Sequence, residues 1–322
     1  MHVISVISTK GGEGKSTHAA NISGFCADAG LKTLLIDGDY AQPTASSYYS
    51  LRYEASCGLY ELLMRTVDLN QPEQLISHTN INNLDLIISN DPHEQLKTSM
   101  MHIPDGRIRL RNLLMHPLFQ SYDVIVIDSQ GARSIMLELV ILATNHTAVA
   151  LIKPIVPDVR EFLRGTITLM EGLLPYDNFG IVLPPVKVLV NCMDYTVLAR
   201  NALDALTDIV EQGVYGSTDI SVSMLQTQVY DLDIYKSGHS LSRCRSRGIS
   251  KLQELVECYG SWTESTVVCG LQYSDGEYDE IPRSDQLGRK PTALVGQPPE
   301  YLDVFRGRYL SEWESAWCWG RY

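Results

Sequence analysis

No stretch of this 322-residue chain is a run of about 18 uninterrupted apolar residues, the length that a membrane-spanning helix requires. The most apolar segment, LELVILATNHTAVALIKPIV at 137–156, is broken by Glu138, Asn145, His146 and Lys153. The first residues, MHVISVIS, carry no basic leader of the kind that opens a secretion signal, so a cytoplasmic protein is expected. None of the seven cysteines forms a C-x-x-C pair, which argues against a disulfide framework and a zinc knuckle. Nor do the eight histidines supply an H-E-x-x-H pair for a metalloprotease. Positive charge is in short supply as well. A formal net charge of -12 disfavours a wholesale nucleic-acid coat, and any contact with DNA must be local.

What is present is a rhythm. Short runs rich in Val, Ile and Leu recur at 3–8, 33–37, 84–89, 123–128, 148–153 and 186–191, separated by helical patterns. Such runs read as buried strands of a mostly parallel sheet, giving a doubly wound α/β layout. A first helix is expected from near Lys15 to a cap at Gly30, with Ala19, Ile22, Cys26 and Ala29 on one face. Further helices are expected around 58–66, 107–115, 159–173 and 197–211. Near residue 240 the rhythm stops. Residues 1–240 read as one nucleotide-binding domain. Residues 241–322, which hold all four tryptophans, read as a tail with neither helical nor strand periodicity. The change fits either an appendage or a shifted reading frame.

The chemistry concentrates in ISTKGGEGKST, residues 7–17. A glycine-rich turn between a strand and a helix lets backbone N–H groups converge on phosphate oxygens, with the helix dipole behind them. Gly11, Gly12 and Gly14 allow the close approach, with Glu13 and Thr17 in the same loop. Lys15 is placed to reach the β- and γ-phosphates of a nucleotide, and the Ser16 hydroxyl to ligate Mg²⁺. The pattern departs from G-x-x-x-x-G-K-[ST] at its first glycine, where Thr9 stands, and a second lysine, Lys10, follows. Open parallel sheets bind ligands at the carboxyl ends of their strands, which draws attention to Asp37, Asp39 and Asp128. Asp128 suits an outer position around Mg²⁺, and Asp39 suits the orientation of an attacking water. Asp37 reads equally well as a carboxylate capping a turn.

Together KGGEGKST, DGDYAQP and YDVIVIDSQG resemble three motifs of the ParA/MinD/Soj ATPases: the deviant Walker A loop, the second aspartate motif, and the Walker B and switch segment. The resemblance covers roughly residues 1–240 and implies a P-loop NTPase fold. It implies ATP and Mg²⁺ as ligands, and slow hydrolysis to ADP and phosphate. The family's signature lysine falls on Lys10, which would reach across a nucleotide-sandwich homodimer, and an adenine-contacting asparagine falls on Asn191. Glu13 stands where family members often have an apolar residue, and a contact with the partner subunit would account for it. Gln42 and Pro43 are displaced from the family's second motif, which leaves the geometry around Asp39 open.

For partition-type members the resemblance further implies non-specific DNA binding, nucleoid association, and stimulation by a centromere-binding, ParB-like protein. The compact basic candidate for DNA is Arg243, Arg245, Arg247 and Lys251, with Lys236 before it; solvated side chains on a tail are an equally good reading. One alternative is a MinD-like, membrane-associated division regulator. Leu302, Phe305, Tyr309, Trp313 and Trp317 do fall near one helical face, but mixed charges around them do not favour anionic lipid. The other alternative is a metabolic P-loop ATPase. An iron–sulfur reductase is disfavoured by the placement of Cys57 and Cys192.

Overall fold

A computed structural model describes residues 1–91, 95–213, 215 and 219–231. The boundary expected at 240, the tail and the basic cluster at 243–251 lie outside these residues. The strands are β1 (His2–Ile7), β2 (Thr33–Asp37), β3 (Leu51–Tyr53), β4 (Ser77–Thr79), β5 (Leu84–Ile87), β6 (Val124–Asp128), β7 (Thr147–Ile152), β8 (Val186–Met193) and β9 (Val222–Tyr230). They form one sheet in the order β3-β4-β5-β2-β6-β1-β7-β8-β9. From β5 to β9 every pairing is parallel, and β4 and β3 add an antiparallel edge.

The helices are α1 (Lys15–Asp28), α2 (Leu59–Met64), α3 (Leu96–His102), α4 (Arg109–Leu114), α5 (Pro117–Gln120), α6 (Ile135–Ala143), α7 (Val156–Glu161), α8 (Thr168–Glu171) and α9 (Val197–Glu211). A π-helical segment, Phe162–Ile167, joins α7 to α8. The single helix expected over 159–173 is therefore a composite that begins earlier, at the turn opened by Pro157. Among the described residues no helix is long and apolar enough to cross a membrane.

Alternation explains why both faces of the sheet are covered. On β6, Val124 and Val126 pack with Ala19, Ile22 and Cys26 of α1, whereas Ile125 and Ile127 pack with Leu62, Leu113 and Val140 on the other side. A strand apolar at every position cannot be satisfied by one layer, and a doubly wound arrangement follows. Small residues let α1 lie close to the strands. Its end is made by Gly30 at φ 83°, whose N–H bonds to the Ala27 carbonyl while the Leu31 N–H bonds to that of Cys26.

One close approach fixes the edge where the strands end. Asp37 and Asp128 stand opposite each other in the β2–β6 register, and the Gly38 N–H donates to the Asp128 carbonyl at 3.0 Å. A Cβ on Gly38 would lie 2.4 Å from that carbonyl oxygen. Backbone meets backbone there, so no rotamer change relieves the clash. Gly38→Ala is expected to cost roughly 2 kcal/mol or more, read as a lowered urea midpoint with an unchanged slope.

Candidate functional site

The carboxyl ends of β1, β2, β6, β7 and β8 share one edge of the sheet, and the glycine loop leaves β1 at its centre. Gly12 (φ 76°) and Gly14 (φ 87°) take left-handed conformations that favour glycine. Gly14 is also confined by Asn191, whose amide nitrogen would sit 2.7 Å from an added Cβ. Two side chains hold the loop's carbonyls: Lys153 Nζ donates to Gly12 O at 2.7 Å and Asn191 Nδ2 to Glu13 O at 2.7 Å. In a planar trans peptide the N–H points opposite to the C=O, so the amides of Glu13 and Gly14 are turned away from these donors. An added Cβ on Gly11 or Gly12 would meet nothing within 4 Å, so that side of the loop has room for a ligand.

Lys15, the first residue of α1, is buried and lies 3.5 Å from the Lys10 carbonyl. Burial lowers its pKa, against the pull of Asp128, Asp39 and Glu13. The segment after β6 presses on the loop from above, since a Cβ on Gly131 would lie 2.8 Å from Lys15 Nζ and 2.9 Å from Gly11 Cα.

The three aspartates divide into distinct environments. Asp37 is a turn organiser: Oδ1 accepts from the Asp39 N–H, and Oδ2 accepts from both the backbone and the hydroxyl of Ser46. Asp39 is half-buried, and its Oδ1 fixes the following turn by accepting from Ala41 and Gln42. Asp128 differs from both. It is fully buried, with Ser16 and Lys15 near enough to act on it, yet neither carboxylate oxygen is closed off by a hydrogen bond of normal geometry among the described residues. Burial and the neighbouring Asp37 push its pKa up to about 8, outweighing Ser16 and Lys15. Buried polar atoms are normally satisfied, so this carboxylate fits a cation.

A second cluster sits on the flank of the loop. Lys10 is ion-paired with Asp158 of α7 and lies 3.9 Å from the Glu13 carboxylate. Glu13 is 1% exposed, so its side chain turns inward. The expectation that it faces a partner subunit is corrected by burial against Asp158, which raises its pKa. Thr9 also finds its setting here. The π-helical segment brings Gly165 so near that an added Cβ would lie 2.4 Å from the Thr9 hydroxyl.

Of the other expected site residues, Ser16 opens onto Asp128, and Thr17 is tied through its hydroxyl to Tyr48 at 2.6 Å. Asn191 is buried, with its amide nitrogen committed to Glu13, a loop-supporting position. Sequence reasoning missed Lys153 and Asp158. The strand-end rule that selects Asp128 also selects Lys153, at the end of β7; for Asp158 the sequence carries no such signal.

A glycine loop between β1 and α1, with an aspartate ending the adjacent β6, defines the P-loop NTPase fold. Comparisons with known proteins agree. The family described as AAA domain matches residues 1–156. The tyrosine-protein kinase CpsD of Streptococcus pneumoniae is 34% identical over 131 residues, covering 40% of this chain and 52% of that protein. The chromosome partitioning protein ParA of Myxococcus xanthus is 29% identical over 127 residues, covering 39% and 43%. The chain spans about half the length of the curated relatives it matches. Among solved structures, an ATP complex of McdA from Cyanothece superposes with TM-score 0.62 at 20% identity, covering 80% of this chain and 94% of that one. Residues 1–156 thus carry the AAA-domain match within a P-loop NTPase fold, and the chain is similar to ParA- and MinD-type proteins.

The unpartnered Asp128 has a consequence for the ligand-free protein. Its folded pKa lies above the unfolded value, so the native state binds more protons and stability falls as pH rises between about 4 and about 8. Asp128→Asn is expected to flatten that decline and raise the melting temperature at pH 8, measured by calorimetry across the pH range.

Proposed function

We propose that this protein is a partition-type ATPase that binds ATP with Mg²⁺ at the loop, associates as a homodimer around the nucleotide and hydrolyses it to ADP and phosphate. The observation that carries this reading is the divergence of the two loop lysines. Lys15 is buried beside Asp128, whereas Lys10 runs along the outer flank, its side chain 44% exposed. A cation placed there is available to a second subunit. In that arrangement triphosphate favours the dimer through its differential contacts, and hydrolysis removes the bias.

The loop amides and Lys15 hold the phosphate oxygens, and the helix dipole of α1 adds to the positive field. Ser16 and the unpartnered Asp128 would hold Mg²⁺, which when bound neutralises charge on the phosphates. Asp39, close enough to Lys15 and Asp128 to act on both electrostatically, orients the attacking water. Lys10 completes the site from the partner subunit. Asn191 acts through the loop and, as the family resemblance implies, near the base. Catalysis is chiefly positioning and charge neutralisation.

The cellular reading follows from the same resemblance: segregation of a plasmid, mobile element or chromosome, with non-specific DNA and a ParB-like protein as partners. Its sequence support is the cluster Arg243, Arg245, Arg247 and Lys251. Turnover is slow until the partner stimulates it, and the protein is cytoplasmic and nucleoid-associated.

The similarity to CpsD supports a second reading, transfer of the γ-phosphoryl group to a tyrosine hydroxyl, since the same loop serves both acceptors. Incubation with ATP and phosphotyrosine detection separates the two. The partition reading expects inorganic phosphate without phosphotyrosine.

Sedimentation velocity with ATP, ADP and a hydrolysis-resistant analogue tests the main proposal. Wild type is expected to dimerise with the analogue and not with ADP. Lys15→Ala is expected to lower turnover by roughly two orders of magnitude or more, the scale for losing one transition-state donor. Lys10→Ala is expected to retain nucleotide and remain monomeric; a Lys10→Ala protein that dimerises like wild type overturns the reading.

A further inference from the structure

We propose that Asp158, backed by Glu13, is a positioning residue that holds Lys10 inside its own subunit and so sets how readily Lys10 engages a second one. The inference rests on the reading of Lys10 as a residue that acts across a dimer, and it adds what that reading lacks, a resting place for the side chain.

The exposures are asymmetric in a telling way. The Lys10 side chain is 44% exposed, whereas those of Glu13 and Asp158 are 2% and 3% exposed. A long cationic side chain at the rim can swing out by rotamer changes alone. The two carboxylates cannot follow it. Glu13 belongs to a loop whose carbonyl is pinned by Asn191, and Asp158 lies in the first turn of α7, where its N–H donates to the Ile155 carbonyl. The near-contact of Gly165 with Thr9 fixes the spacing between loop and helix. Lys10 is therefore the mobile member of the cluster.

Its departure is opposed. Apart from their contact with each other, neither Glu13 oxygen nor the second oxygen of Asp158 has a hydrogen-bond partner among the described residues. Lys153, the other cation facing Glu13, is already donating to the Gly12 carbonyl. Withdrawing Lys10 takes the cation from two buried carboxyl groups that face each other, and leaves Glu13 with Lys153, which is already committed to the loop. Breaking a buried pair by removing one partner is costly for this reason. Phosphate bound in a second subunit must outcompete Asp158 and Glu13 before Lys10 can cross. The cluster thus acts as a threshold on association: without triphosphate in the opposite site, Lys10 stays at home.

Glu13, anomalous in the loop sequence, acquires a role. It is the inner wall of the cradle for Lys10, adding to the pull of Asp158 on the ammonium.

The test is a concentration series of the full chain with a hydrolysis-resistant ATP analogue, read by sedimentation velocity for wild type, Asp158→Asn, Asp158→Glu, Glu13→Gln, Lys10→Ala and the Lys10→Ala/Asp158→Asn pair. Asp158→Asn is expected to lower the protein concentration at half-association by about two- to fivefold, the upper part of the range for removing one partly exposed ion pair. Glu13→Gln is expected to shift it in the same direction, and it decides the matter if Asp158→Asn does not fold. Asp158→Glu is expected to return the midpoint toward wild type. The double variant is expected to behave as Lys10→Ala alone, a dependence that a merely structural role for Asp158 would not produce. If Lys10→Ala abolishes association while neither neutralised carboxylate lowers the midpoint, the holding role is wrong and the dimer reading stands. If Lys10→Ala associates like wild type, the dimer reading fails and this inference fails with it.

Discussion

β6 pairs in parallel with β1 on one side and β2 on the other, and this pairing decides where the strand-end acids stand relative to the loop. It sets Asp128 level with Asp37 and places both beside the loop that leaves β1. The backbone bond from Gly38 to Asp128 closes the edge. Without that register the loop would still be a glycine turn before a helix, but with no acid facing Ser16. Register in a sheet apolar on both faces is set by which residues fill which layer, so the packing of Val124, Ile125, Val126 and Ile127 is part of the chemistry.

The site concentrates charge where water is scarce. Lys15, Asp37, Asp128, Glu13 and Asp158 are all buried. Their burial is tolerated by division of labour. Asp37 is satisfied by Ser46 and the turn, Asp158 by Lys10, and the loop's outward carbonyls by Lys153 and Asn191. Asp128 alone among the three strand-end aspartates keeps both oxygens without a hydrogen bond among the described residues. At the strand ends a single residual carboxylate, Asp128, stands beside a glycine cradle, while on the flank Glu13 and Asp158 share the ammonium of Lys10; such a site is arranged to be completed by a cation and an anion together.

Six of the nine strands among the described residues were legible as apolar runs because burial on both faces leaves no polar alternation to confuse. The others lacked that signal. β3 and β4 have three residues each, and β9, VSMLQTQVY, is a half-buried edge strand whose Gln and Thr dilute its pattern. Helix α6 escaped notice for the opposite reason. All of its residues but Glu138 are buried, so no polar face marks its period. In the site, Lys15, Ser16 and Asp128 were readable because local motifs carry them. Lys153 carried only the strand-end signal and Asp158 none, since their partners on the loop are brought near only when β7 lies beside β1. The inward turn of Glu13 depends on the same neighbour.

The π-helical segment gives the loop's odd residue a counterpart far along the chain. Thr9 brings a side chain where the common loop has none, and the widened turn presents Gly165, which has none, against it. Volume has been moved from one position to the other. Bulk restored at 165 would meet the Thr9 hydroxyl and the Glu161 carboxylate alike, so the glycine answers both to the loop and to its own helix. A survey of related chains that aligns the loop alone would record a threonine and miss the glycine that makes it possible.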